Sequence, residues 1–315
     1  MVKHFTRTED FTKDEYLEII RRTKIIEEGI AAGKDFTHVC PGKIIATEFF
    51  QESTRTSASL QAAMMKLGGG WFGIAGIKGT YLETGEEDLE DTLRGVAPIA
   101  DIMAVRHKDF DLTAFAASGF PIPLINAMSG SEEHSLSGTA ILYTLYRQFG
   151  KIDGLKIGIY GMTKSSRPTK TFLKVLSRFG ATIYEDSVIP EFKTPQAIRD
   201  TIVANGSTYQ EDKLENFIDK VDFLNVVEGL PQAGEDPALV DKFNAKFKPF
   251  TKVDMAKVRP DTFIEIGEPR ATTDGRLVAL KETDDDPRVR EKKMMKYLVF
   301  TNMALISYLL GAPIE

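Results

Sequence analysis

Apolar positions along the chain follow two spacings: short runs dense in β-branched and aromatic residues, and longer stretches with an apolar residue every three or four positions. Lys43–Phe50 (KIIATEFF), Trp71–Ile77, Ile102–Val105 and Ile122–Ile125 show the first spacing and predict strands. Residues 13–32, with Tyr16, Leu17, Ile20, Ile25, Ile26 and Ile30 in register, show the second. So do 57–67, the set Leu89, Leu93, Val96 and Ala100, and 110–118. These make roughly four strand–helix units by residue 130.

A second series follows. Ile141, Leu142, Leu145 and Phe149 mark a helix that stops at Gly150, a residue suited to the left-handed position after a helix. Lys156–Tyr160 predicts a strand. Pro168, compatible with a helix first turn, opens a helix carrying Phe172, Leu173, Leu176 and Phe179 that ends at Gly180. Strands are predicted at 181–184, 222–227 and 262–266, and one long helix over 288–310. Short strands alternating with helices imply parallel sheets covered on both faces, hence an α/β fold. No repeat or low-complexity tract interrupts the pattern. The Ser- and Gly-rich stretch near residue 130 (MSGSEEHS) is the candidate domain junction.

At 315 residues the chain has room for two domains of about 100–200 residues each. With 42% hydrophobic and 27% charged residues, the composition is that of a globular protein and excludes disorder and collagen-like or coiled-coil structure. A net charge of −6 argues against a broad nucleic-acid or anionic-membrane surface, but leaves room for a local basic pocket. Cys40 is the single cysteine, so no intrachain disulfide and no cysteine-based zinc site is expected, in keeping with a reducing cytosol. The N-terminus, MVKHFTRTEDF, has no apolar core for a signal peptide. Tyr297–Leu310 is too short to span a bilayer and is broken by Thr301, Asn302 and Ser307. The expectation is a soluble, cytoplasmic protein without nucleic-acid or membrane partners.

Five places carry candidate chemistry. Ser53-Thr54-Arg55-Thr56 follows the predicted strand KIIATEFF and precedes a helix. It reads either as a plain N-cap or as an anion site, where unpaired first-turn N–H groups, hydroxyls and a guanidinium surround a phosphate. Arg106-His107 ends a strand, where open α/β sheets bind ligands, although a solvated loop would look the same. His134, with Ser135 and Ser137, lies in the junction; it is either a hydrogen-bond donor or acid–base group, or a structural histidine. Gly161 to Arg167 (GMTKSSR) lacks the third glycine of a dinucleotide loop and the GxxxxGK[ST] pattern, yet Lys164 and Arg167 suit a carboxylate or phosphate. Glu265 to Arg270 (EIGEPR) is another loop after a strand. His4, His38, His107 and His134 have no metal-ligand spacing, and Asp284-Asp285-Asp286 reads as a helix-capping turn.

Taken in order, these segments resemble the aspartate/ornithine carbamoyltransferase superfamily. FFQESTRTSASLQAAMMKLGG is similar to its S-T-R-T block and following helix. GEEDLEDTLRGVAPIADIMAVRH, HSLSGTAILYTLYRQFGKIDGLKIGIYG and GEPRATTDGRLV continue the likeness collinearly from about residue 13 to 311. The resemblance implies two doubly wound parallel-sheet domains facing a cleft, with the C-terminal helix packing back on the first. The expected boundaries are 1–133 with 288–315 for carbamoyl phosphate and 134–287 for the amine acceptor. It implies that Ser53, Thr54, Arg55 and Thr56 hold phosphate, that Arg106 bridges phosphate and carbonyl oxygen, and that His134 polarises that oxygen. Ser137 stands at the family's next carbamoyl-phosphate position, and Arg167 meets the acceptor carboxylate. Arg55, Arg106 and His134 are the catalytic candidates. No metal or organic cofactor is implied, and a homotrimer is.

The departures fall mostly on the acceptor side. The aspartate branch has a lysine at the position of Thr84, for which Lys78 is the nearby substitute. Its H-P-x-Q motif is H-S-L-S here, so Ser137 replaces glutamine. An acceptor-binding arginine is replaced by Glu228, and the H-P-L-P-R loop becomes Ile266-Gly267-Glu268-Pro269-Arg270. The ornithine motifs D-x-x-x-S-M-G and H-C-L-P are absent. Glu228, with Glu268 beside Arg270, is expected to change the sign of the acceptor pocket, because like charges set together cost several kcal/mol. An acceptor other than aspartate follows, such as one with a cationic or hydrogen-bond-donating group or without a second carboxylate. The alternatives are a catalytically weak paralogue with a binding or regulatory role, and a dinucleotide-binding oxidoreductase.

Overall fold

The computed structural model describes residues 2–130, 133–231, 234–289 and 291–315, with the backbone alone over 291–295. Ser131 and Glu132 of the expected junction lie outside the described residues, as does Gln232 beyond Glu228. The chain divides into two compact units, one formed by Met1–Tyr143 with Met295–Glu315 and the other by Thr144–Met294.

The first unit runs α1 (Lys13–Ala31), β1 (Ile44–Phe49), α2 (Arg55–Lys66), β2 (Gly70–Ala75), α3 (Tyr81–Thr84), α4 (Leu89–Val96), β3 (Ile102–Arg106), α5 (Leu112–Ala117) and β4 (Leu124–Asn126) into α6 (Ser135–Phe149). Its four strands are all parallel, in the order β2-β1-β3-β4. Strand order reverses between β1 and β3, since the chain steps from β1 out to β2 and returns on the other side. Ala46, Met103, Val105, Leu93, Phe115 and Phe120 form a core on one face of this sheet. Thr12 caps α1 through a reciprocal pair with Glu15, and Asp111 caps α5 by accepting from the N–H groups of Thr113 and Ala114.

The second unit runs β5 (Lys156–Tyr160), α7 (Arg167–Leu176), β6 (Thr182–Asp186), α8 (Gln196–Ala204), β7 (Thr208–Glu211), α9 (Leu214–Phe217), β8 (Phe223–Val226), α10 (Pro237–Lys246), α11 (Lys252–Met255) and β9 (Phe263–Ile266). Its five strands are also all parallel, in the order β7-β6-β5-β8-β9, and here the reversal lies between β5 and β8. Phe217, Leu224, Val226, Phe243, Phe250 and Ile264 belong to one core cluster. Gly158 in β5 is a packing requirement: a Cβ there would stand 2.9 Å from the Phe217 ring.

The last helix, α12 (Glu291–Leu309), returns its C-terminal part to the first unit. Asn302 Nδ2 donates to Ser59 Oγ at 3.0 Å, Tyr308 donates to Glu15 at 2.9 Å, and Arg22 donates to Ser307 Oγ and the Ala312 carbonyl. Two parallel α/β units with the terminal helix packed on the first match the expected fold class. No helix among the described residues is long and apolar enough to cross a membrane.

Candidate active site

Open parallel sheets bind ligands outside the carboxyl ends of their strands, at the point where strand order reverses. In the first unit that point is the β1/β3 pair. Phe49 and Arg106 are register partners at the ends of these strands, and the Phe50 N–H donates to the Arg106 carbonyl at 2.9 Å. The Ser53–Thr56 turn leaves the end of β1 and enters α2, which begins at Arg55, two residues before the predicted start. Thr54 is the N-cap residue, but its side chain makes no capping hydrogen bond. Ser53 Oγ accepts from the Ser57 N–H at 3.4 Å, beyond the usual range for such a bond. The Thr54 hydroxyl is therefore not spent on capping α2. Thr54 and Arg55 are exposed, Ser53 and Arg106 half-buried, and Thr56 buried.

His107, next to Arg106, points into the unit's own structure. Its Nδ1 accepts from the Asp109 N–H at 3.2 Å, its ring meets Phe50 and Phe110 edge-on, and burial lowers its pKa. The loop after β4 is fixed to the same sheet end: Ser129 donates to the Val105 carbonyl, and the Gly130 N–H donates to the His107 carbonyl. Glu133 anchors the start of α6 by accepting from the Thr8 N–H at 2.8 Å and from Ser135 Oγ. His134 is half-buried at this helix start. Ser137 Oγ donates to the His134 carbonyl at 2.7 Å, so its hydrogen is spent on the helix first turn. Lys78 and Thr84 are both exposed in the segment after β2, where the Thr84 hydroxyl bonds to Tyr81 and Glu86.

Sequence reasoning passed over Glu48. Side chains alternate along β1, so Glu48 shares the face of Ala46 and Phe50, which belong to the apolar core of this sheet. It is 1% exposed, and neither carboxyl oxygen has a hydrogen-bond partner. Burial alone pushes its pKa up to about 7. The signal in the sequence was one acid inside an otherwise apolar strand.

In the second unit the order reverses at β5/β8. Arg167 opens α7 after the β5 loop, and Glu228 follows β8. Ser166 caps α7 by accepting from the Thr169 N–H at 3.1 Å, and its hydroxyl lies 2.8 Å from Glu228 Oε2. Burial lowers the Arg167 pKa while Glu228 raises it; burial raises that of Glu228 against the lowering by Ser166, Arg167 and Lys170. Lys170, missed in the sequence, is a 4% exposed cation one turn along α7. Lys164 pairs with Glu235 at 3.2 Å instead of facing outward alone.

Glu268 and Arg270 are brought together, with Arg270 Nε donating to Glu268 at 3.0 Å and a second guanidinium nitrogen paired with Asp284. Asp286 binds both the N–H and the guanidinium of Arg288. The acid run thus holds cations, where the sequence suggested a helix cap. Among the described residues no group of three or more His, Cys, Asp or Glu could hold a metal ion.

A family model described as "Aspartate/ornithine carbamoyltransferase, carbamoyl-P binding domain" matches residues 3–147. The catalytic subunit of aspartate carbamoyltransferase from Clostridium botulinum (strain Hall) is 33% identical over 311 residues, covering 96% of each chain. That from Clostridium kluyveri is 30% identical, covering 98% of each. Among solved structures, the catalytic subunit of M. jannaschii aspartate transcarbamoylase superposes with a TM-score of 0.85 at 28% identity, covering 98% of each chain. The Trypanosoma cruzi aspartate transcarbamoylase in complex with carbamoyl phosphate and aspartate gives 0.83 at 25%, covering 97% of this chain and 94% of that one.

Proposed function

The chain belongs to the aspartate/ornithine carbamoyltransferase family, and from that premise we propose that it moves the carbamoyl group of carbamoyl phosphate to the amine of an amino-acid-like acceptor. It is an enzyme, a carbamoyltransferase. The observation that carries the finer reading is the pairing of Ser53–Thr56 with Arg106 at the strand reversal of the first unit, with the Thr54 side chain uncommitted to capping.

In this reading the phosphate sits against Ser53, Thr54, Arg55 and Thr56, in the field of the α2 N-terminus. Arg106 spans phosphate and carbonyl oxygen, and His134 donates to that oxygen. The Ser137 oxygen, whose hydrogen is spent on the His134 carbonyl, takes part only as an acceptor. The acceptor nitrogen forms a bond to the carbamoyl carbon. The carbon–oxygen bond to phosphate breaks, phosphate leaves with the electron pair, and the nitrogen releases a proton. Charge grows first on the carbonyl oxygen and then on the departing phosphate. Fixed cations and N–H donors favour both without reorganising. No redox or proton-storing cofactor is called on.

On the second unit, Arg167 takes the acceptor carboxylate. Glu228 stands where the aspartate branch has an arginine, and Arg270 is engaged with Glu268 and Asp284. This half therefore selects an acceptor differently from the aspartate enzymes. A soluble homotrimer is part of the proposal, supported by the exposed apolar side chains of Trp71, Ile77 and Tyr81 on edge strand β2 and the segment after it. The acceptor is identified by phosphate release from carbamoyl phosphate with a panel of amino acids and simple amines. Release that depends on one carboxylate-bearing amine supports the assignment. Release independent of every amine overturns it.

A further inference from the structure

Glu228 is the end of a continuous hydrogen-bonded chain. Its Oε2 lies 2.8 Å from Ser166 Oγ, and Ser166 Oγ lies 2.7 Å from Thr169 Oγ1. Thr169 Oγ1 lies 3.0 Å from Asn225 Oδ1, and Asn225 Nδ2 lies 3.1 Å from Glu265 Oε2. The three middle residues are 0%, 1% and 3% exposed, so bulk water does not enter the chain. Residues from the α7 start, β8, the loop after it and β9 are thereby joined across the strand reversal of this unit.

The hydrogens can be counted. Each of the four links needs one hydrogen between its two heavy atoms. Ser166 and Thr169 bring one hydroxyl hydrogen each. Asn225 accepts at its oxygen and donates from its nitrogen, so it brings one. Three hydrogens are available for four links, and the fourth has to come from a carboxyl group at one end. With Asn225 donating to Glu265, Thr169 must donate to Asn225, Ser166 must donate to Thr169, and Glu228 must donate to Ser166. Ser166 Oγ also accepts from the Thr169 N–H at 3.1 Å, so it then makes one donation and two acceptances and is saturated. Turning the Asn225 amide over reverses every arrow and moves the fourth hydrogen to Glu265. The total of one proton for two carboxyls is the same either way.

We propose that Glu228 and Glu265 share one proton through Ser166, Thr169 and Asn225, and that it resides on Glu228, which meets the acceptor as a neutral acid beside the cations Arg167 and Lys170. Burial acts in the same direction at Glu228, outweighing Ser166, Arg167 and Lys170. Those two cations are the charged groups of α7 that act on it. On the loop after β9, Glu268 and Arg270 are engaged with each other and with Asp284. That loop also presses on the backbone here, since a Cβ at Gly267 would stand 2.4 Å from the Glu228 nitrogen.

This deepens the reading above and rests on it for its consequence. The negative charge that the sequence assigns to Glu228 is absent at neutral pH, so Glu228 does not repel an acceptor carboxylate held beside Arg167 and Lys170. Ionising Glu228 at higher pH weakens that binding.

The test is infrared difference spectroscopy of the ligand-free protein at about pH 7, reading the carbonyl stretch of a protonated carboxyl. Wild type minus Glu228→Gln shows this band, because glutamine replaces the donor and leaves Glu265 ionised. Wild type minus Glu265→Leu, which places no donor at that end of the chain, does not show it. Thr169→Val, which leaves Ser166 free to donate to a Glu228 carboxylate, shifts loss of the band to lower pH. Absence of the band from the Glu228→Gln difference, its appearance in the Glu265→Leu difference, or an unchanged titration in Thr169→Val overturns the proposal. No substrate is used, so a protein that transferred no carbamoyl group would still show the signal, and the two readings fail separately.

Discussion

Replacing Glu48 with leucine should stabilise the protein in a pH-dependent way. The Glu48 carboxyl is 1% exposed, has no hydrogen-bond partner, and its pKa rises from 4.5 to about 7 through burial alone. A raised carboxyl pKa destabilises the fold above the unfolded value. Near and below that value both states hold the proton and no penalty exists. As the pH climbs toward 7, the unfolded chain releases the proton while the folded one keeps it, so stability falls. The full difference is about 3 kcal/mol. Between about pH 5 and about pH 8 the part that develops is roughly 2.5 kcal/mol.

Leucine removes the titrating group and adds an apolar contribution that is the same at both pH values. That contribution cancels when the wild-type and variant unfolding free energies are compared across pH. Urea unfolding of both proteins at about pH 5 and about pH 8 should therefore show Glu48→Leu gaining roughly 2–3 kcal/mol more at the higher pH. Equal gains at the two pH values would refute the claim that Glu48 is buried without a partner. A smaller gain from Glu48→Gln is expected, because an unpartnered buried amide still costs about 1–3 kcal/mol.

Other outcomes follow from the same contacts. Thr54→Val should leave the melting temperature nearly unchanged, because the side chain caps nothing, while raising the KM for carbamoyl phosphate; a loss of stability with normal KM would return Thr54 to a structural role. Asp111→Ala, far from the chemistry but capping α5 through two N–H groups, should cost about 1 kcal/mol of stability with kcat unchanged. Arg106→Ala should lower kcat/KM for carbamoyl phosphate by about 100- to 1000-fold, and a smaller change would remove Arg106 from the reacting centre. Native mass measurement should give three times the 35.0 kDa chain mass, and a monomer would contradict the trimer.

The elements that bury one face were legible because their apolar spacing repeats. The helix expected over 13–32 is Lys13–Ala31, and the terminal helix expected over 288–310 is Glu291–Leu309. Ends were less legible. The predicted strand Trp71–Ile77 stops at Ala75, since Gly76 turns with φ of 91° and the apolar Ile77 is exposed. β7 went unpredicted because Thr208–Glu211 is an edge strand with largely exposed side chains and carries no apolar signal.

The Ser53–Thr56 turn could be singled out as a candidate anion site, because a strand end, hydroxyls, an arginine and a helix start adjoin in sequence. The Glu228 chain could not. Ser166 and Glu228 are 62 residues apart and Asn225 and Glu265 are 40 apart, and only parallel pairing of β5, β8 and β9 makes them neighbours. Ser137 and Lys164 show the converse. Both stand at expected positions, yet one spends its hydroxyl hydrogen on the His134 carbonyl and the other pairs with Glu235. A residue's type in a motif does not reveal which local partner it already has.

Carbamoyl transfer itself is tested most directly by following the label of carbon-13 carbamoyl phosphate by NMR in the presence of the wild-type protein and the amine that gives the fastest phosphate release. The label is expected to move to a carbon bonded to the acceptor nitrogen, with one phosphate released per product and the rate sharply reduced in Arg106→Ala. Label found only in the products of carbamoyl phosphate breakdown, at the rate seen without protein, would contradict it.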